Sequence, residues 1–344
     1  MKELAIIIPA YNGGARLLDS VQSCARSGLP ADRYAILVVD NCSTDDSISN
    51  LPSTDRNGAA VQFWRNERNL GRTGNWNRGL EIAEREGYPF AVFLFVGDTW
   101  AENAPIGDLL NLMKQSGAVL GMAPLSIATE DGSSSREGAR ISIHGGQALI
   151  GSHELLHKVV RTGRLPFAPL QANIYRLFAD RPLRFDTDPA KALNTDIEST
   201  VAYLLDHSGK VALISKPFLV WKEHAERFFA TQDPWFVMRE TRASLRRVGE
   251  ATGVPVNWTS ANAISLLTSA YELSRKLPLP DRIAFVSRVF WQMKSEPGGV
   301  SIWKFLSFTL NKLLRNRSYL SLPRDCAVSA PAAPAASRSA RVLS

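Results

Sequence analysis

The 344-residue chain has only three cysteines, Cys24, Cys42 and Cys326. Their spacing makes neither a pair nor a metal-ligating set, which excludes a disulfide scaffold and suits a reducing compartment. No stretch reaches the roughly 18 apolar residues of a membrane-spanning helix. The first apolar run, Leu4 to Ile8, is too short for a cleavable leader, so a cytoplasmic location is expected. No G-x-G-x-x-G follows that run, which argues against a dinucleotide-binding dehydrogenase. The turn there, Pro9-Ala10-Tyr11-Asn12-Gly13-Gly14, has no nearby Lys, unlike the phosphate loop of a nucleotidyltransferase. Repeats are missing. The net charge is +7, but no basic tract is interleaved with aromatics as in a nucleic-acid module, so nucleic acid is not expected as a partner.

Against these absences stands a hydrophobic content of 45%, enough for a substantial core. Three short apolar runs, 4–8, 35–39 and 90–96, each end in turn residues. Runs of this length read as strands of a parallel sheet buried on both faces. Helices are expected at 14–28, with Leu17, Leu18, Val21 and Cys24 inward, near 46–51 after Asp45, and at 75–86. A further strand is expected at 60–65, with a polar loop at 66–74. Strand and helix alternate through residue 125, giving an α/β fold with a doubly wound, mostly parallel sheet. Beyond it, 126–145 reads as an exposed loop able to act as a lid on the acceptor side. Helices are expected at 147–161 and 194–208, strands at 171–176 and 211–215, and helices again at 234–275 and 280–315. The Ala/Pro/Ser-rich tail from Pro323 reads as disordered. Ligands of open α/β sheets gather at the carboxyl ends of the strands. Asn12, Asp40 and Asp98 all fall at that edge.

The ordered set Ile8-Pro9-Ala10-Tyr11-Asn12, Val38 to Asp45, Asn69 to Gly79, Asn194-Thr195-Asp196 and the segment up to His224 resembles the family 2 inverting glycosyltransferases of the GT-A fold. The resemblance covers roughly residues 3–230. It implies a GT-A-like catalytic domain at 1–230 and gives no guidance beyond; the residue pattern alone assigns a helical C-terminal region to 231–322 and the tail to 323–344. The resemblance also implies a nucleotide-sugar donor and a saccharide or lipid-linked acceptor in surface polysaccharide biosynthesis.

The resemblance further implies roles residue by residue. Asp40 accepts a hydrogen bond from the base of a UDP- or dTDP-sugar, as an acceptor-only carboxylate suits an imide N–H. Pro9, Ala10 and Tyr11 line that pocket. Asn69 and Arg72 belong to the loop beside the nucleotide, and Asn77 supports it. Asp98 aligns with the last Asp of the Asp-x-Asp motif, which ligates Mg²⁺ or Mn²⁺ on the diphosphate. The first Asp of that motif is Val96 here, and a neighbouring acidic position is Thr99. His224 completes the metal shell or contacts diphosphate, and Lys222 pairs with diphosphate. Asp196 is the base that takes the acceptor proton, with Glu198 as second choice. Asp40, Asp98 and Asp196 are also residue types that form turns and helix starts, and a lone His is equally at home as a structural group. A non-catalytic nucleotide-binding protein with a degenerate GT-A site is the alternative. Aromatic and basic residues mix at 282–308, so peripheral contact with a membrane is expected there, beside the alternative of ordinary helix packing.

Overall fold

The computed structural model describes residues 2–129, 135–137, 140–143, 145–162, 170–188, 193–223, 234–256 and 318–321, with isolated positions 280, 281, 284 and 291. Its centre is strand β1 (Leu4–Ala10), paired in parallel with β2 (Tyr34–Asp40) on one side and β4 (Phe90–Phe93) on the other. Strand β3 (Val61–Arg65) adds in parallel to β2 and forms one edge. Every side chain of β2 and β4 is buried. Alternate residues of β1 feed opposite cores. Ala5 and Ile7 face one layer with Trp76, Leu80 and Phe93. Leu4, Ile6 and Ile8 face the other with Leu17, Val21 and Leu109. Strand periodicity of two in an unbroken apolar run produces this two-sided burial.

Helix α1 (Ala15–Ser23) packs on the second layer and α2 (Gly71–Arg85) on the first. Of the four expected inward residues of α1, Leu17, Val21 and Cys24 are buried, whereas Leu18 is exposed. At 100° per residue, positions 17, 20/21 and 24 make one stripe and 18 turns away from it; Ser20 fills the remaining place. Helix α2 begins at Gly71 rather than near 75, so the last four residues of the expected loop 66–74 form the first turn of a helix. Gly79 lets α2 lie directly on β1, because a Cβ there would meet Ile7 Cγ2 at 2.4 Å. Residues 46–50 form turns, not the expected short helix.

After the two-residue strand β5 (Thr99–Trp100), helix α3 (Ile106–Ser116) leads to β6 (Leu120–Met122). The expected lid 126–145 is partly sheet: β7 (Leu125–Thr129), β8 (Ser135–Glu137) and β9 (Arg140–Ser142) lie within it. The expected helix at 147–161 is instead β10 (Gln147–Gly151) followed by α4 (Ser152–Thr162). Then come β11 (Asn173–Arg176), α5 (Thr195–Asp206), β12 (Lys210–Ile214) and β13 (Leu219–Glu223). Helix α6 (Pro234–Thr252) and β14 (Ser318–Ser321) complete the described chain.

The main sheet has eight strands in the order β10-β12-β6-β11-β4-β1-β2-β3. It is mostly parallel, but β11 runs antiparallel to both β4 and β6, and β10 antiparallel to β12. A second sheet, β5-β13-β7-β8, sits beyond the carboxyl end of β4, and β14 pairs with β9. Helix α6 packs against α4 and α5 and gives Val248 to the same core layer as Trp76. Among the described residues, no helix is long and apolar enough to cross a membrane. The helices expected beyond 256, the aromatic-basic stretch 282–308 apart from 284 and 291, and the tail from 323 lie outside the described residues.

Candidate functional site

The carboxyl ends of β1 and β2 are stitched together. Asn12, with φ 48, donates its backbone N–H to Ser43 Oγ at 2.8 Å, and its Oδ1 accepts from the Thr44 N–H at 2.8 Å. Asp45 Oδ2 accepts from the Gly14 N–H at 3.0 Å. The acidic loop after β2 is therefore folded back on the β1 turn, which explains why Asp45 starts no helix. Pro9 and Ala10 lie at the end of β1, and Tyr11 projects from it with 53% of its surface exposed.

Asp40 ends β2 opposite Ala10 and is fully buried. Its Oδ1 accepts from the Ser43 N–H at 3.0 Å. Its Oδ2 is buried and has no hydrogen bond, although Arg65 Nη1 lies 3.2 Å away. A buried carboxylate oxygen with acceptor capacity to spare is costly unless something comes to use it.

A cluster of asparagines holds the start of α2 against β2. Asn41 Nδ2 donates to Asn69 Oδ1 at 2.8 Å, and Asn41 Oδ1 accepts from the Leu70 N–H at 2.8 Å. Asn66 Nδ2 donates to Asn75 Oδ1 at 2.8 Å and to Asn41 Oδ1 at 3.1 Å. Asn75 Nδ2 donates to the Val39 carbonyl at 2.9 Å. Asn69 thus has a clear local role, in line with its place beside the strand ends. Sequence reasoning passed over Asn41, Asn66 and Asn75; the density of Asn between 66 and 77 was the available signal.

Arg72 stacks over Trp76 at 4.9 Å from the ring centre. Burial lowers its pKa, and the negative charge of Asp196 works against that shift. Asp196 lies in the first turn of α5, half-buried. Burial raises its pKa above the ordinary carboxylate value, opposed chiefly by Arg72. The two groups therefore act on one another across the site. Asn77 faces elsewhere: its Nδ2 donates to the Phe185 carbonyl at 2.9 Å and its Oδ1 accepts from the Phe185 N–H at 2.8 Å. It fastens the segment that leads to α5. Asp186 closes a turn by accepting from the Asp188 N–H at 2.9 Å.

Asp98 lies in the turn between β4 and β5 and is fully buried. Its Oδ2 accepts from Gln171 Nε2 at 2.8 Å and its Oδ1 from the Lys222 backbone N–H at 3.1 Å. Ser20 of α1 donates to the Asp98 carbonyl at 2.8 Å and accepts from the Gly97 N–H at 3.1 Å. Lys222 is half-buried on β13. Glu198 is engaged by α6: Arg247 Nε and Nη2 donate to its two oxygens at 2.8 and 2.7 Å. His224 lies outside the described residues. The structure gathers Pro9–Tyr11, Asp40, Asn69 and Arg72 at one edge, couples Arg72 to Asp196, and ties Asp98 to the backbone of Lys222.

A carboxylate offers about four lone-pair sites, and one N–H donor reaches each oxygen of Asp98. No group of three metal-ligating side chains occurs among the described residues. Mg²⁺ is commonly held by one or two carboxylates with substrate phosphates and water supplying the rest. Among the described residues, the single carboxylate of Asp98 fits that mode.

An open depression of about 580 Å³ lies by the amino-terminal ends of β6 and β12, lined by residues such as Arg176, Phe178 and His207. It contains none of the residues above.

Residues 5–159 match the family model described as Glycosyl transferase family 2. Among solved structures, the S. aureus TarS fragment 1-349 in complex with UDP-GlcNAc is similar, with a TM-score of 0.54 and 17% identity over 81% of this chain and 77% of that one. The same fragment in complex with UDP gives 0.50 and 17%, over 82% and 78%. Against the longer S. aureus TarS chain, at 19% identity and a TM-score of 0.49, this protein covers 39% of that chain and 70% of its own. It therefore spans well under half of that relative. These likenesses are of fold. No curated protein matches the sequence.

Proposed function

We propose that the protein, whose residues 5–159 match the model of glycosyl transferase family 2, transfers a sugar, with inversion, from a UDP- or dTDP-sugar to a saccharide or lipid-linked acceptor in surface polysaccharide biosynthesis. The observation that carries the reading is the buried, hydrogen-bond-free Oδ2 of Asp40 at the strand edge where Arg72 and Asp196 also meet. It supports an acceptor for the imide N–H of a pyrimidine base.

In this reading the Asn12 to Asp45 stitching and the asparagine cluster keep the base pocket formed before the donor arrives, so little ordering is left for binding to supply. Pro9, Ala10 and Tyr11 wall the pocket. Asn69 and Arg72 flank the nucleotide. Asp98, with His224, would hold a divalent ion, and Lys222 adds positive charge at the diphosphate. When bound, the ion acts as a Lewis acid toward the leaving diphosphate. Asp196 accepts the acceptor's hydroxyl proton as its oxygen bonds to the anomeric carbon. The bond from that carbon to the diphosphate oxygen breaks on the opposite face, and the nucleoside diphosphate leaves with the electron pair. A carboxylate whose proton affinity is raised by burial is a stronger base than an exposed one. The enzyme works in the cytoplasm, at the inner face of the membrane, with 282–308 as the contact.

The rival is a non-catalytic nucleotide-binding protein. It is favoured by Val96 and Thr99 standing where acidic residues are usual, and by Asp98 already taking two N–H donors. UDP-GlcNAc, the ligand of the S. aureus TarS fragment, is the first donor to test. Release of UDP with Mn²⁺, enhanced by a saccharide or lipid-linked acceptor, supports the transferase. UDP binding with no turnover of any UDP- or dTDP-sugar supports the rival.

A further inference from the structure

The inference concerns Arg65 and rests on the nucleotide reading of Asp40. Arg65 ends β3 and is the register partner of Asp40 across the sheet. Its side chain is 51% exposed, while that of Asp40 is 0% exposed. Nη2 donates to the Ser43 carbonyl at 2.9 Å, which anchors the guanidinium beside the pocket. Nη1 sits 3.2 Å from Asp40 Oδ2, yet that oxygen receives no hydrogen bond. The anchoring uses a small part of a fork that carries about five N–H donors. A buried acceptor and a half-exposed donor therefore stand side by side at the mouth of the site.

We propose that Arg65 is a second base-reading residue, which together with Asp40 selects an imide base, uracil or thymine, over guanine, cytosine and adenine. An imide edge runs carbonyl, N–H, carbonyl. Its N–H matches Asp40 Oδ2 and an adjoining carbonyl matches an Arg65 N–H. Guanine also offers an N–H beside a carbonyl, but its exocyclic amine is a further donor. That donor has to share Asp40 Oδ1 with the Ser43 N–H, since a guanidinium has no acceptor to give. Cytosine and adenine set a ring nitrogen lone pair against the carboxylate. A donor crowded onto an oxygen already in use, or a lone pair set against the carboxylate, selects against the wrong base.

The test is calorimetric binding of UDP and GDP to the full chain carrying Arg65→Met, Arg65→Lys or Asp40→Asn. The wild-type protein is expected to prefer UDP. Arg65→Met removes every donor and is expected to weaken UDP by about ten- to a hundred-fold, the scale of one hydrogen bond to a charged group, with GDP little changed. Arg65→Lys keeps the charge that offsets buried Asp40. One ammonium nitrogen cannot serve the Ser43 carbonyl and the base as a planar fork can, so the GDP-to-UDP ratio falls part of the way. If Arg65→Met does not fold, Arg65→Lys decides. A preference unchanged in the folded variants, or UDP and GDP weakened in parallel, overturns the proposal. If Asp40→Asn weakens UDP while the Arg65 variants keep the wild-type ratio, only the role of Arg65 falls. A wild-type protein that binds neither nucleotide overturns the role of Arg65 and the nucleotide reading together.

Discussion

Gln171 donates from Nε2 to Asp98 Oδ2 at 2.8 Å, so the carboxylate proposed to face the metal is oriented from behind by a buried amide. Groups that orient a metal-binding carboxylate commonly change affinity by about 10–100-fold when removed. Transfer is expected to stop in EDTA and return with Mn²⁺ or Mg²⁺. Gln171→Leu is expected to raise the half-saturating Mn²⁺ concentration by about ten-fold. An Mn²⁺ titration of activity checks both. Full activity of Asp98→Asn in chelator would remove the metal from the mechanism and leave Arg72 and Lys222 as the charges at the leaving group.

Asp196 gives a prediction with two signs. Asp196→Asn keeps the shape but cannot take a proton, so transfer should fall by about 10²–10⁴-fold while UDP affinity stays the same. Stability should move the other way. Burial raises the folded-state pKa, so the fold favours the protonated carboxyl. That contribution is full below the unfolded carboxylate value and is lost as pH rises through the folded one. At neutral pH the ionised side chain is a burden that Asn lacks. The variant should melt higher at pH 7, and the difference should shrink on acidification. Melting curves across pH, beside product assays, check this. The acid limb of the kcat profile should sit above the ordinary carboxylate range, and Arg72→Met should shift it higher still.

Glu198 is held by both oxygens on Arg247, which separates it from Asp196 experimentally. Glu198→Gln is expected to lower stability by about 1 kcal/mol, the scale of a partly exposed ion pair, and to leave transfer nearly intact. Parallel melting and rate measurements decide. A rate loss as deep as that of Asp196→Asn would move the base to Glu198.

Asn41 bonds to Asn69, Leu70 and Asn66 at once. Asn41→Ala leaves several of these groups unpaired. We expect a rise in KM for the donor of about ten-fold with a smaller change in kcat, since the loop must be ordered anew on each binding event. Steady-state kinetics at varied donor concentration check it.

Much of this arrangement was legible in the sequence because parallel strands buried on both faces announce themselves as unbroken apolar runs. The strands holding Ile7, Leu37 and Phe93 were placed that way, and Asp40 followed at a strand end. Asp98 was placed at a strand end too, yet lies in a turn beyond β4, since Leu94 to Gly97 leave the ladder. The segment 147–151 was misread because Ala148 and Ile150 point inward by strand alternation. Only pairing with β12 reveals that, and Gly151 was the break that marked it. Asn41, Gln171 and Arg65 acquire their roles through partners 22 to 73 residues away. No local pattern carries information about such partners, and the charge on Glu198 likewise gave no hint of Arg247.

Arg247 and Val248 are neighbours on α6 that face the rest of the molecule in different ways. One grips Glu198, two residues past Asp196, and the other is buried in the core layer beneath α2. Cutting the chain after Glu223 would strip a counter-ion from α5 and open a cavity in that layer. The portable unit, the piece that could be moved into another protein or inherited as a module, therefore extends at least through Val248. The family match ends at residue 159, well short of the helix that completes this core.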